Sequence, residues 1–360
     1  MTEFTVERLA RQCRIFADKE GKGYSAIYER LAWALADDDQ MLDWLTCVGD
    51  PLRVPINLFA AVHYLVRQQP DSELARIYAG AGGDPWPAFR QFFTARTDEI
   101  KALMATRAIQ TNEVGRSAAL VPAMSFVAGR FAGRPLALVE IGPSAGLNLL
   151  FDHYTVDYSD GRSFGDPSSN VRLRCDIVGT SPPLPDGVGL PISSRVGIDL
   201  APVDVGDPDA VAWLAACIWP DVPDRLERFQ AAVRLASTDP PALVPGDALD
   251  VLPSVLAGIP GGHLPVVFAT WALAYFSPAS RSALRAGLAE IGAQRDLALV
   301  TAEYPQVTPW FPEPRAPTLT GKGATLLGAT MWKDGTEQAE PLAWTHAHGQ
   351  WLDWFEDAPV

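Results

Sequence analysis

The spacing of apolar side chains divides the chain into two regions of different secondary structure. In residues 4–19, Phe4, Leu9, Cys13 and Phe16 follow the spacing of one face of a helix. The same spacing recurs in four later segments, 24–35, 55–67, 72–78 and 86–106. Since no segment before residue 130 alternates as a strand would, the pattern predicts an α-helical N-terminal domain over residues 1–130.

From residue 131 onward, short apolar runs alternate with helical segments. Apolar runs of four to seven residues that end at glycine or polar positions are typical of buried parallel strands. They occupy residues 136–141, 196–200, 242–245, 265–270 and 297–302. The helical spacing between them falls at 210–218, 225–236, 249–257 and 278–293. Two last strands, 325–332 and 342–347, flank the turn signal Lys333-Asp-Gly335 and predict an antiparallel C-terminal hairpin.

This alternation predicts an α/β fold with a Rossmann-like, mostly parallel sheet over residues 131–360. An insertion at about 154–190 interrupts the pattern. Within it, segments 155–158 and 171–175 flank Asp160-Gly161, which predicts a β-hairpin with a long loop.

Composition and charge narrow the function classes. A hydrophobic content of 48% and a charged content of 20% are ordinary for a soluble globular protein. The net charge of −14 argues against nucleic acid and anionic membranes as partners, because both are bound through clustered Lys and Arg. No apolar run is long enough to span a membrane, and the first residues lack a signal-peptide pattern. We therefore expect a cytoplasmic protein whose partner is a small molecule.

Cysteine and histidine positions do not predict a metal site or a disulfide framework. The four cysteines are far apart and form no C-x-x-C pair, which is typical of reduced thiols. His346 and His348 alternate on a predicted strand and point to one face, but no third ligand lies near them in the sequence. His153 follows the glycine loop described in the next paragraph, and we expect it to cap the end of the predicted helix or to be partly buried. No metal is expected.

A glycine loop, Gly142 to Gly146, follows the first predicted strand and opens a predicted helix. Glycine permits positive φ and close approach of a ligand, and the first helical N–H groups would face that ligand. A dinucleotide fingerprint needs glycine at Ser144 and Leu147, so NAD and FAD fit poorly. The acidic-x-G-x-G-x-G pattern of S-adenosylmethionine binding matches at Glu140, Gly142 and Gly146. A purely structural turn is the alternative. The predicted cofactor contacts are Glu140, Gly142, Pro143, Ser144, Ala145, Gly146 and Asn148.

Acidic residues after the next two strands extend the predicted cofactor site. Asp199 ends the second strand, where one carboxylate can accept hydrogen bonds from both ribose hydroxyls. Asp157 takes this role instead if residues 154–158 form the second strand. Asp247 and Ala248 follow the third strand and are predicted to meet the adenine, although Asp247 is also a good N-cap.

Two segments supply candidates for the acceptor side of the site. The fourth strand ends in Thr270 and Trp271, with Tyr275 close behind, and these residues either contact the cofactor and acceptor or pack in the core. Glu113 and Arg116 precede the first strand, where the guanidinium is suited to bidentate contact with a carboxylate of the cofactor or substrate, and a solvated helix cap is the alternative. The catalytic candidates are Glu113, Arg116 and Tyr275.

Taken in order along almost the whole chain, these motifs resemble a bacterial family known as domain of unknown function 2332. They are segments 111–116, 139–148, 195–200, 218–220 and 246–248, Thr270-Trp271 with Tyr275, and His348-Gly349. The resemblance implies a Rossmann-like, class I methyltransferase-type fold and supplies no substrate. The leading hypothesis is a methyltransferase acting on a small molecule. The alternatives are a non-catalytic binding or regulatory protein and, last, a nicotinamide-dependent oxidoreductase.

Overall fold

The computed structural model describes residues 5–47, 54–185, 189–319 and 324–356. Contacts within the chain define two compact units. The first comprises Met1–Thr111 and Asp207–Gln230, and the second comprises Asn112–Gly206 and Ala231–Val360. The sequence prediction placed a single boundary near residue 130. The structure instead includes residues 112–130 in the sheet unit and residues 207–230 in the helical unit, because the apolar faces of these segments pack there.

Helices account for the first unit and flank the sheet of the second. They are α1 (Val6–Phe16), α2 (Ala26–Leu35), α3 (Asp39–Thr46), α4 (Ile56–Arg67), α5 (Glu73–Arg76), α6 (Pro85–Ala95), α7 (Thr97–Thr106), α8 (Ser117–Arg130), α9 (Pro208–Ala216), α10 (Pro223–Ala236), α11 (Ala248–Ala257) and α12 (Pro278–Gly292). Short 3-10 turns occupy Val114–Arg116, Leu147–His153 and Leu273–Tyr275. Within the described ranges, no helix is both long and apolar enough to cross a membrane.

The helical unit follows from amphipathic helices with capped ends. Leu9, Cys13 and Phe16 of α1 are buried on one face, as their spacing predicted, while Phe4 lies outside the described residues. Side-chain oxygens accept backbone N–H groups at the starts of α1, α2, α3, α5 and α6. The predicted helix over residues 86–106 is divided at Arg96 into α6 and α7, and α3 was not predicted.

One sheet forms the second unit. Its strands are β1 (Leu136–Ile141), β2 (Thr155–Tyr158), β3 (Ser163–Phe164), β4 (Arg172–Ile177), β5 (Ile192–Asp199), β6 (Ala242–Pro245), β7 (Leu264–Thr270), β8 (Leu297–Glu303), β9 (Ala324–Lys333), β10 (Thr336–His346) and β11 (Trp351–Trp354). Their order is β3-β2-β4-β11-β10-β9-β8-β7-β1-β5-β6. The neighbours from β8 to β6 are parallel, whereas β9 and β10 are antiparallel to their neighbours.

The direction in which successive parallel strands are added to the sheet reverses at β1. From β1 the chain adds β5 and then β6 on one side, and it returns to add β7 and β8 on the other. In open α/β sheets, ligands bind outside the carboxyl ends of the strands at such a reversal. We call the edge at which β1, β5, β6, β7 and β8 end the carboxyl edge.

The predicted mixed α/β fold with a mostly parallel sheet and an antiparallel C-terminal hairpin is confirmed. The pairing predicted within the insertion is wrong. β2 and β4 are parallel neighbours, and the antiparallel partner of β2 is the two-residue strand β3. β4 then pairs with β11, a strand that was not predicted, so the insertion joins the main sheet through the C-terminal segment. This pairing depends on residues about 175 positions apart, which local turn signals do not report.

Two glycines bring the turn before α8 against the turn after β10. Gly349 has φ of +70°, and a Cβ there would overlap the carbonyl oxygen of Gly115. We expect Gly349→Ala to lower the free energy of unfolding by about 2 kcal/mol more than Gly133→Ala, because both add left-handed strain and only the former adds overlap. Gly133 has φ of +68° with open space around its Cβ position. Urea unfolding measures both variants, and equal losses would contradict the close approach.

Candidate functional site at the carboxyl edge

β1 carries a carboxyl group that the fold buries. All six residues of β1 are buried because the strand lies between β5 and β7. Glu140 is 2% exposed, and its Oε2 has no hydrogen-bond partner within the described part of the chain. Burial raises the pKa of Glu140 to about 8, while a hydrogen bond with Asn148 and the charge of Arg116 act in the opposite direction. Glu140 therefore changes its protonation state close to neutral pH.

The glycine loop follows β1 with backbone geometry that its sequence requires. Gly142 and Gly146 have φ of +71° and +72°, and a Cβ on either would meet a neighbouring side chain within 2.7 Å. Ser144 also lies in the left-handed region, with φ of +53°. The predicted α-helix after the loop is wrong, because Leu147–His153 is a 3-10 segment with a kink at Leu150.

The side chain of Asn112 clamps the glycine loop. Its Nδ2 donates to Ser144 Oγ at 2.6 Å, and its Oδ1 accepts from the backbone N–H of Ala145 at 3.3 Å. Pro143, Ser144, Ala145 and Gly146 are buried, whereas Gly142 is exposed. The loop is thus held in one conformation, and Gly142 is its accessible position.

Asp199 lies beside the loop because β5 pairs with β1 in parallel. Its Oδ2 accepts from the backbone N–H of Ser144 at 2.9 Å, and its Oδ1 accepts from that of Ala201 at 2.9 Å. Asp157 lies on β2 instead, remote from β1 in the strand order, and bonds Ser163. Of the two acids considered for a ribose, the fold brings Asp199 to the glycine loop.

Asp247 follows β6 at the same edge and begins α11. Its Oδ1 accepts from the backbone N–H of Leu249 at 2.8 Å, which is an N-cap interaction. Ala248 is buried in the first turn of the helix. The carboxylate keeps acceptor capacity beyond this bond, since each oxygen has two lone pairs.

The turn after β7 holds Trp271 in an unusual conformation. Thr270 is buried, and Trp271 has φ of +58°, which is rare for a bulky residue. The next two backbone N–H groups, of Ala272 and Leu273, both donate to Glu303 Oε1 at 2.8 Å. The other oxygen of Glu303 has no hydrogen-bond partner in the described chain, and burial raises the pKa of this residue to about 7.

Arg116 binds backbone carbonyl groups at this edge. It is 8% exposed and donates to the carbonyl oxygens of Thr270 at 3.0 Å and Ala347 at 3.1 Å. Its positive charge offsets part of the increase that burial causes in the pKa of Glu140 and of Glu303. The predicted carboxylate partner of Arg116 belongs to a cofactor or substrate and stays a prediction. Within the chain, Arg116 holds the turn after β7, and its charge favours the ionised form of two buried acids.

A second group of titratable side chains comprises Glu113, His346 and His348. Glu113 Oε1 accepts from the backbone N–H of Gly115 at 3.0 Å, and its Oε2 is 3.8 Å from His348 Nδ1. Burial lowers the pKa of His346, whose Nδ1 accepts from the backbone N–H of His348 at 3.1 Å. Over residues 5–47, 54–185, 189–319 and 324–356, no group of three potential ligands could hold a metal ion.

Some candidate residues lie apart from the buried groups at the carboxyl edge, and some of those buried groups were not predicted. Tyr275 is 78% exposed in the 3-10 turn after β7. His153 lies 3.2 Å from Arg195 at the end of the 3-10 segment that follows the glycine loop. Glu303 was missed, although it ends β8 as Glu140 lies near the end of β1, so an acid closing an apolar run was the available signal.

Comparison with known proteins gives one informative result. No curated protein and no solved structure matches the chain. Residues 10–354 match the family described as an uncharacterized protein conserved in bacteria, DUF2332. Because the match covers nearly all of the chain, the protein belongs to this bacterial family.

Proposed function

We propose that this protein is an S-adenosylmethionine-dependent methyltransferase acting on a small molecule. The observation that carries the proposal is the buried Oε2 of Glu140 beside Gly142 at the carboxyl edge. A buried carboxyl oxygen without a partner costs about 1–3 kcal/mol, and more when it is charged. The ammonium group of the methionine part would satisfy this oxygen with a charge-assisted hydrogen bond.

The arrangement of strands supports the proposal. Numbered in chain order, the five parallel strands lie as 3-2-1-4-5, which is the order of the corresponding part of a Rossmann sheet. The reversal between β1 and β7 lies where such sheets bind nucleoside-containing cofactors. The antiparallel pair β9 and β10 extends the sheet beyond β8, where the sequence predicted a C-terminal hairpin.

The residues at this edge fit the chemistry of the cofactor. Glu140 would hold the amino group, Asp199 the ribose hydroxyls and Asp247 the adenine side. Each oxygen of Asp199 accepts one backbone N–H and retains a lone pair for a hydroxyl. Gly142 is the exposed position of the loop, so its backbone is accessible to a ligand. When bound, the cofactor supplies an activated methyl group, and the chain positions an acceptor in line with it.

One observation favours a binding protein without turnover as the second candidate. Asn112 covers Ser144 and Ala145, and most of the glycine loop is buried. A binding or regulatory protein would bind cofactor and transfer no methyl group. A nicotinamide enzyme ranks last because Ser144 and the buried Leu147 occupy positions at which the dinucleotide fingerprint has glycine.

Calorimetry with S-adenosylhomocysteine tests the proposal. We expect binding well below about 1 mM, accompanied by release of a proton at pH 7, because the ammonium group favours ionised Glu140. The measured enthalpy should therefore depend on the ionisation enthalpy of the buffer at pH 7, and this dependence should weaken as the pH rises through about 8, where Glu140 is ionised before the ligand binds. NADH is the control ligand. Absence of binding at about 1 mM would refute cofactor binding, and binding without methyl transfer to any tested acceptor would favour the second candidate.

A further inference from the structure

Exposed apolar side chains follow several parallel strands at the carboxyl edge. Among the described residues, five large hydrophobic side chains are exposed, and three of them lie at this edge: Leu200 directly after β5, Tyr275 in the 3-10 turn after β7, and Tyr304 directly after β8. Their exposed fractions are 78%, 78% and 41%. Exposed apolar groups at the ligand-binding edge of an α/β sheet are candidates for contact with a ligand.

Trp271 is partly buried and packs against Tyr304, and we call these two side chains the aromatic surface. Its ring lies 4.5 Å from that of Tyr304 at 67°, an edge-to-face arrangement. Its indole N–H donates to Thr325 Oγ1 at 3.2 Å, and its backbone N–H donates to the carbonyl oxygen of Ala302 at 3.1 Å. A bulky residue keeps a left-handed backbone only where the surroundings over-determine it, and such residues concentrate at functional sites.

Glu303 anchors the turn that carries Trp271. Its side chain is fully buried at the end of β8. Its Oε1 accepts both backbone N–H groups that follow Trp271, whose φ is +58°. Glu303 thus holds the turn from which the indole ring projects.

The charges at this edge select the kind of ligand. The Arg116 guanidinium lies 5.8 Å from the centre of the Trp271 ring, which disfavours a cationic ligand against the indole. The net charge of −14 on the chain disfavours an anion. A neutral aromatic ring is favoured, since it can extend the edge-to-face packing of Trp271 and Tyr304.

We infer that Trp271 and Tyr304 bind a neutral aromatic methyl acceptor, and that Glu303 is the positioning residue for Trp271. That the bound molecule is a methyl acceptor rests on the proposed function, whereas the binding of an aromatic ring to this surface does not.

Fluorine NMR of protein labelled with 5-fluorotryptophan tests the inference. Trp271→Phe identifies the resonance of Trp271, and that of the core residue Trp332, which is 2% exposed, serves as the internal control. We expect 2-naphthol to shift the Trp271 resonance and leave that of Trp332 unchanged. Cyclohexanol and tetramethylammonium should shift neither. A shift with tetramethylammonium alone, or with no probe, would overturn the aromatic assignment.

Variants of Glu303 test its positioning role. Glu303→Leu should move the Trp271 resonance and weaken 2-naphthol binding about tenfold, while Glu303→Gln keeps the acceptor oxygen and should restore both. In the wild type the chemical shift of Trp271 should change with pH around pH 7, because burial raises the pKa of Glu303 to about 7. In Glu303→Gln the chemical shift should not change over this range. An unchanged resonance in Glu303→Leu, or a titration that persists in Glu303→Gln, would refute the role. The pH comparison decides the question even if Glu303→Leu fails to fold.

Failure of S-adenosylhomocysteine to bind the wild type would refute the proposed function and leave these results unaffected.

Discussion

Replacing Glu140 by Gln is expected to weaken S-adenosylhomocysteine binding by roughly a hundredfold, since a hydrogen bond to a charged group contributes about 1.5–3 kcal/mol. The amide keeps the shape of the side chain and loses the charge that would bind the ammonium group. Calorimetry on the variant should also show no buffer-dependent proton release. The control is Asp157→Asn, which makes the same change on β2, away from β1 in the strand order. Unchanged affinity in Glu140→Gln would remove the observation on which the proposed function depends.

The same substitution is expected to stabilise the protein at alkaline pH. Burial raises the pKa of Glu140 to about 8 from an ordinary 4.5, so the folded chain holds a proton that the unfolded chain releases. Its contribution to stability is complete below pH 4.5 and is lost as the pH rises through about 8. Gln carries no such proton, and at about pH 9 the variant should be more stable by about 2–3 kcal/mol. Urea unfolding between pH 5 and pH 9 measures this, and a pH-independent difference would contradict it.

Replacing Arg116 by Met is expected to destabilise the protein by about 3–5 kcal/mol, because removing one member of a buried charge cluster leaves the others uncompensated. Two buried carboxyl groups, those of Glu140 and Glu303, lose the positive charge that lowers their pKa values. The loss should be greatest above about pH 8, where both acids would ionise, and smaller near pH 5, where both are neutral.

A more exposed ion pair provides the matched control for this variant. Arg134 contacts Asp296 at 2.7 Å, and both side chains are about a quarter exposed. Arg134→Met should cost only about 1 kcal/mol and show little pH dependence, because solvent screens the pair. Urea unfolding at pH 5 and pH 8.5 compares the two variants. Equal losses for Arg116→Met at both pH values would show that Arg116 acts through its carbonyl contacts and not through the buried acids.

The amino-acid sequence by itself determined the parallel half of the sheet. β1, β7 and β8 are largely apolar runs that are buried throughout, and a run of that kind predicts a strand buried on both faces without knowledge of its neighbours. Gly142 and Gly146 were also recognisable, because a turn with positive φ leaves a direct signature in residue type. The sequence therefore located the glycine loop and Glu140 near the end of β1.

Tertiary structure alone decided the partners of these residues. The pairing of β4 with β11 and the placement of residues 207–230 in the helical unit join segments far apart in the chain, and sequence periodicity carries no information about such contacts. The same is true of Glu303, whose role depends on the turn after β7. The carbonyl contacts of Arg116 were likewise not predictable, because Thr270 and Ala347 lie 154 and 231 residues away in the chain. Residue type reveals which groups are able to ionise or turn the backbone, and packing of distant segments decides which of them meet.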